Sequence, residues 1–180
     1  MKHVFRYFHG TSDYVLYYQG RPGLDRVLDI RGFVDVDWAG DLDHRISTSG
    51  YVFNLFGGAI SWMSKKQFVV ALSTGEAEYM AATHASKEAV WLQRLCSSMG
   101  LVQGAIGIDC GSQSVIFLEK NLAYHSKTKH IDVQYHFVRH MIEDKKVDTL
   151  KNTADALTKS VSSERFSWCR EIMGVVGLDK

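Results

Sequence analysis

Proline is almost missing from this chain: Pro22 is the sole example in 180 residues. That excludes a proline-rich spacer between separate modules. Cysteine is scarce too. Cys96, Cys110 and Cys169 are odd in number and widely spaced, which argues against a disulfide framework or a zinc site and suits a reducing, intracellular setting. No apolar run approaches the ~20 residues needed to cross a bilayer, so no membrane partner is expected. The opening MKHVFRYFHG lacks the continuous apolar centre of a secretion signal. Neither sign of charge is in excess: 21 Lys+Arg stand against 20 Asp+Glu, for a net charge of +1. With no global basic field, contact with a polyanion needs a local patch. There is no internal repeat and no low-complexity segment. What is present, 46% hydrophobic and 23% charged residues, suits one soluble domain with a real core.

The chain is organised around Gly32 to Asp43, GFVDVDWAGDLD. Phe33, Val34, Val36 and Trp38 favour a β-strand. Alternation then puts Phe33, Asp35 and Asp37 on one face and Val34, Val36 and Trp38 on the other. Two carboxylates thus leave the same side of an otherwise apolar strand. Buried charge is costly unless it is paired or metal-bound. Two readings follow: surface acids at a strand end, or a carboxylate seat for a divalent cation.

Upstream, Val4, Phe5 and Phe8 predict a short helix over Lys2 to His9, closed by Gly10. Tyr14 to Tyr18, YVLYY, predicts a strand, and Gln19 to Gly23 a turn. Downstream, GYVFNLF (Gly50 to Phe56) and AISWM (Ala59 to Met63) flank Gly57-Gly58, which predicts a hairpin turning on that dipeptide. Phe68 to Leu72 reads as a further short β run. Ser73 to Met99 is the strongest helix. Ser73 and Glu76 have capping-box spacing, Ala81, Ala82, Ala85, Ala89, Leu92 and Cys96 form an apolar stripe, and Gly100 ends it. Projected onto this helix, Glu76 falls on the wetter side and Glu78 at the head of the alanine stripe. An inward glutamate with no local partner is a functional candidate.

Ala105 to Cys110 predicts another strand, Ser112 to Glu119 a short helix, and Lys127 to Asp144 an amphipathic segment carrying His130, His136 and His140. His136 and His140 have metal-ligand spacing. No Glu or Cys completes such a site, and the segment opens with Lys127 and Lys129, so they are read as non-ligating. Lys145 to Leu150 is a weak strand, Asn152 to Ser160 a short helix containing Asp155, and Phe166 to Val176 a last helix.

Four strings occur in order: GFVDVDWAGDLDHRISTSGYVF, GGAISWMSKKQFVVALSTGEAEYMAATHASKEAVWLQRL, KTKHIDVQYHFVRHMIED and ADALTK. Together they resemble the ribonuclease H domain at the C-terminal end of copia-type retrotransposon Pol polyproteins. The resemblance implies an α/β fold, a mixed five-stranded sheet with helices on both faces. It implies residues 1–25 as the tail of the segment joining reverse transcriptase to this domain, 26–160 as the ribonuclease H-like domain and 161–180 as a helical extension. It also implies two Mg²⁺ ions (Mn²⁺ as a substitute), an RNA–DNA hybrid as substrate, and the reverse transcriptase portion of the same polyprotein as partner.

Carried over residue by residue, Asp35 in VDVDW matches the first-strand aspartate. Glu78 in GEAEYMA matches the helix glutamate, and Asp155 in ADALTK the final aspartate. Lys65, Lys66 and Gln67, after the second hairpin strand, are read either as phosphate contacts or as merely solvated. The remaining family acid sits in a C-D-N-Q-S motif; here the run is Cys110-Gly111-Ser112-Gln113-Ser114, so Gly111 stands where a metal-binding aspartate is expected. Asp109 shares the face but lies roughly 6.5 Å back along the strand. About five residues of the fifth strand are also missing before ADALTK, which predicts a truncated edge. The expected function is therefore hybrid-directed ribonuclease H activity, impaired in this copy. The alternatives are a degenerate domain with weak hybrid binding, or one with only an interaction role.

Overall fold

The structure is a computed structural model and describes residues 2–20, 27–104, 106–110 and 152–178. Gly111, the Ser112 to Glu119 helix, the histidine-bearing Lys127 to Asp144 segment and the expected fifth strand at Lys145 to Leu150 lie outside the described residues.

In chain order the elements are α1 (Lys2–Gly10), β1 (Tyr14–Leu16), β2 (Val27–Leu28), β3 (Arg31–Asp37), β4 (Thr48–Leu55), β5 (Gly58–Lys66), α2 (Thr74–Ser98), β6 (Val102–Gln103), β7 (Gly107–Cys110), α3 (Asp155–Thr158), α4 (Ser163–Ile172) and β8 (Val175–Gly177). Among the described residues the main sheet has four strands in the order β5-β4-β3-β7. The β3–β4 and β4–β5 pairs are antiparallel and β3–β7 is parallel, so the sheet is mixed.

The period-two pattern of β3 sorts its side chains between two layers. On one face Val34 joins Tyr51, Phe53, Ile108 and the Ala81, Ala85, Ala89, Leu92, Cys96 stripe of α2 in the principal core. On the other, Phe33 packs with Val52, Ala59, Ala154 and Leu157. Helices therefore cover both faces, as expected. Full burial of Phe53 and Ile108 contributes roughly 1.5–3 kcal/mol each. Gly32 makes room for the first of these, since a Cβ there would stand 2.5 Å from the Phe53 ring.

Helix α2 is fixed at both ends. Ser73 Oγ accepts from the Glu76 amide at 3.2 Å. The Glu76 carboxylate reaches one residue further back than a capping box requires, to the Leu72 amide at 2.7 Å. At the other end Gly100 takes φ +71°, and the Leu101 amide returns to the Cys96 carbonyl at 3.0 Å, the Schellman closure that a glycine permits.

Three local expectations change. The hairpin turns on Phe56-Gly57, both at positive φ, while Gly58 already belongs to β5 and pairs with Leu55. A two-residue turn with both φ positive matches strand twist best, and Phe56 is held in this costly conformation by packing on the principal core. Phe68 to Leu72 forms no strand: Phe68, Val69, Val70 and Leu72 are exposed, Leu72 at 90%, only Ala71 is buried, and among the described residues no strand pairs with it. The last helix stops at Ile172, and Gly174, at φ +75°, releases the chain into β8, which pairs antiparallel with β1. The first and last described segments are thus joined, and Tyr18 Oη donates to the Ala59 carbonyl at 2.7 Å. Among the described residues no helix is long and apolar enough to cross a membrane.

Candidate active site

Asp35 lies near the C-terminal end of β3, opposite Gly50 of β4. On that face α3 settles against the sheet. Asn152, fully buried, anchors it: Nδ2 donates to the Val34 carbonyl at 2.8 Å, and Oδ1 accepts from the Ala154 amide at 3.1 Å. Ser64 Oγ donates to the Leu157 carbonyl at 2.6 Å. Gly50 allows the approach, because a Cβ there would stand 2.7 Å from Thr158 Cγ2 and 3.0 Å from Leu157 Cβ.

The docked helix brings Asp155 and its neighbours over Asp35. Thr158 Oγ1 donates a short hydrogen bond to Asp35 Oδ2. Lys159 Nζ bridges the two acids, 3.3 Å from Asp35 Oδ2 and 3.1 Å from Asp155 Oδ1. Arg165, on α4, holds the other Asp155 oxygen at 3.1 Å and donates to the Asn152 carbonyl at 2.8 Å, with its guanidinium stacked on Trp168. Burial pushes the Asp35 carboxyl above its ordinary value. Thr158 and Lys159 oppose that shift, and the Asp155 charge adds to it. Burial alone would depress Lys159, but the Asp35 and Asp155 charges outweigh it and hold the ammonium above its usual value. Two desolvated carboxylates share one cation, an arrangement whose charge suits a divalent ion.

Glu78 stands in the second turn of α2, half-buried, with Oε2 inside the protein. Its turn is pinned to the sheet by Gln67, whose Nε2 donates to Ser49 Oγ and to the Ala77 carbonyl, both at 2.9 Å. Ser49 pairs with Val36 and Gly50 with Asp35, so Glu78 starts from the same end of the sheet as Asp35. Among the described residues, however, no three His, Cys, Asp or Glu side chains stand together as a metal-binding group. The structure unites Asp35 with Asp155 and leaves Glu78 outside that pair.

Asp109 is level with Phe33, and Cys110 with Val34. Its carboxylate lies 3.9 Å from Arg31, two residues short of Asp35. The rim residues divide. Lys65 is exposed, with Nζ over the Phe68 ring. Lys66 is exposed but bound to Asp41 at 2.5 Å. Gln67 is only 3% exposed, its amide spent on Ser49 and α2, and it braces the helix rather than facing solvent. Asp37 turns back onto its own loop, where its carboxylate fills the space a Gly40 side chain would need.

Reading the residues for chemistry missed Gly50, Asn152, Thr158, Lys159 and Arg165. Thr158 and Lys159 stand three and four residues after Asp155, a spacing that puts them on its face of a helix. Arg165 had no comparable signal.

No family model matches the chain. The chain is 46% identical over 180 residues to the retrovirus-related Pol polyprotein from transposon TNT 1-94 of Nicotiana tabacum, covering 97% of this chain and 13% of that one. It is 34% identical to the Pol polyprotein from transposon RE2 of Arabidopsis thaliana, covering 98% and 12%. Among solved structures, it is similar to the N-terminal ribonuclease H domain of a Mycobacterium tuberculosis protein, at TM-score 0.50 and 15% identity, covering 80% of this chain and 97% of that one. It is similar also to a ribonuclease H1 solved with an RNA/DNA hybrid, at TM-score 0.50 and 19% identity, covering 72% and 94%. The fold is that of a ribonuclease H domain. By sequence the chain belongs with the Pol polyproteins of copia-type retrotransposons, of whose length it spans about an eighth.

Proposed function

We propose that this chain is a ribonuclease H-like domain built for divalent-metal-dependent cleavage of RNA in RNA–DNA hybrids, and that this copy is impaired. The observation that carries the reading is the meeting of Asp35 and Asp155 across one cation, at 3.3 and 3.1 Å. These two carboxylates would hold the metal, Mg²⁺ or in its place Mn²⁺; Glu78 of α2, at the same end of the sheet but outside the pair, is the third donor that the family resemblance implies. A bound metal would supply water activation and charge stabilisation at the leaving oxygen. Thr158 orients Asp35 and Arg165 orients Asp155. Lys65, exposed on the rim, offers a phosphate contact, with Lys66 free to join once it leaves Asp41.

Impairment rests on Gly111, which supplies no donor. Asp109 does not replace it, since it sits at the Phe33 rung beside Arg31. That observation supports the second reading, a folded domain that binds a hybrid weakly without cutting it, or one with only an interaction role. We place the domain inside the cell, consistent with three cysteines that form no disulfide, and with the reverse transcriptase portion of a longer polyprotein as its neighbour. Residues 1–25 then connect to that portion, 26–160 form the nuclease domain and 161–180 extend it.

The test is incubation with a labelled RNA–DNA hybrid and Mg²⁺ or Mn²⁺. Slow, metal-dependent cleavage that Glu78→Gln abolishes supports the proposal. Cleavage indifferent to metal and to Glu78 overturns the mechanism. Hybrid binding that does not weaken as salt rises excludes phosphate-led recognition.

A further inference from the structure

We propose that Lys159 is a built-in counter-cation that occupies the metal position and must swing out before a divalent ion can bind. This rests on reading Asp35 and Asp155 as a cation site. Three observations carry it. First, the ammonium bridges one oxygen from each acid, at 3.3 and 3.1 Å, the role an ion shared by the pair would take. Second, Lys159 is the residue that ends α3. Its backbone is extended, at φ −140° and ψ 162°, and its side chain is 41% exposed. The flexible stem therefore enters from solvent and can withdraw without disturbing the helix. Third, the other groups on the acids are fixtures: Thr158 is buried, and Arg165 is tied to Asn152 and stacked on Trp168. Among the described groups on the two acids, Lys159 alone can leave cheaply. While it stays, it holds together two carboxylates that otherwise repel each other, and it repels an incoming cation. Lys159 is thus a positioning residue: it keeps the metal-free site closed and sets a threshold metal concentration for opening it.

The test is calorimetric titration of the purified chain with Mn²⁺, together with thermal melting in its absence. Wild type, Lys159→Gln, Lys159→Arg and Asp35→Asn are compared. Lys159→Gln should bind Mn²⁺ roughly tenfold or more tightly. Its metal-free melting temperature should fall by roughly 2–4 °C and recover when Mn²⁺ is added. Lys159→Arg should stay near wild type. A merely structural lysine would lower the melting temperature with and without metal and leave affinity unchanged. Unchanged or weaker binding in Lys159→Gln, where wild-type binding is lost in Asp35→Asn, overturns this proposal and leaves the metal site standing. Absence of binding in both wild type and Lys159→Gln overturns both.

Discussion

Gly50 and Thr158 meet across the gap between sheet and helix: a Cβ on the glycine would stand 2.7 Å from the threonine methyl, and that closeness lets the threonine hydroxyl reach Asp35. Gly50→Ala should therefore push α3 outward and break the Asp35 contact. The expected cost is roughly 1–3 kcal/mol in chemical denaturation, with metal affinity lowered in parallel. Thr158→Ser, which keeps the hydroxyl and removes the methyl, should relieve the clash in the double variant. Full stability and metal binding in Gly50→Ala alone would show that the close approach is not needed.

Asn152 fastens the segment bearing Asp155 to the central strand with two hydrogen bonds, to the Val34 carbonyl and from the Ala154 amide. Its loss leaves buried backbone groups unmatched. Asn152→Ala should cost about 2 kcal/mol in denaturant unfolding and reduce metal affinity as well, because the acid pair loses its alignment. A stable variant with weak metal binding would assign Asn152 to the site alone.

His84, on α2, has a wholly buried Nδ1 without a hydrogen-bond partner among the described residues. Burial first, then the charges of Lys87 and Lys65, push its pKa below the ordinary value. The fold therefore prefers neutral His84. Its contribution to stability is full above the ordinary value of about 6.5 and is lost as pH falls from there through the lowered folded value, where the unfolded chain binds the proton first. Melting temperature should drop over that window in wild type, and His84→Gln should flatten that part of the profile. Parallel profiles would remove His84 from the account.

Gly111 is the missing acid of the sequence pattern. Gly111→Asp should raise hybrid cleavage, and Glu78→Gln should remove the gain. If no gain appears while Asp35 and Asp155 bind metal, the shortened stretch before ADALTK becomes the cause of impairment.

Much of this arrangement could be read from residue order. The alternation in VDVDW sends Asp35 to one face and Val34 to the core, as found. The alanine stripe buries as its spacing requires. Local pattern failed where tertiary contact decides. YVFNLF and AISWM announced a hairpin, but which two residues took positive φ depended on the β4–β5 register. FVVAL has strand residues, yet among the described residues no strand lies beside it to pair with. Gln67 looked like one more polar residue after two lysines, but is buried because Ser49 and Ala77 both need its amide. Arg165 could not be foreseen, because its link to Asp155 exists only once α4 folds back.

Mn²⁺ titration followed by electron paramagnetic resonance, in wild type, Asp35→Asn and Asp155→Asn, decides whether Asp35 and Asp155 form a divalent-cation seat. Wild type should show a saturable site whose affinity falls at least about tenfold with either substitution. Equal affinity in all three proteins would contradict that seat.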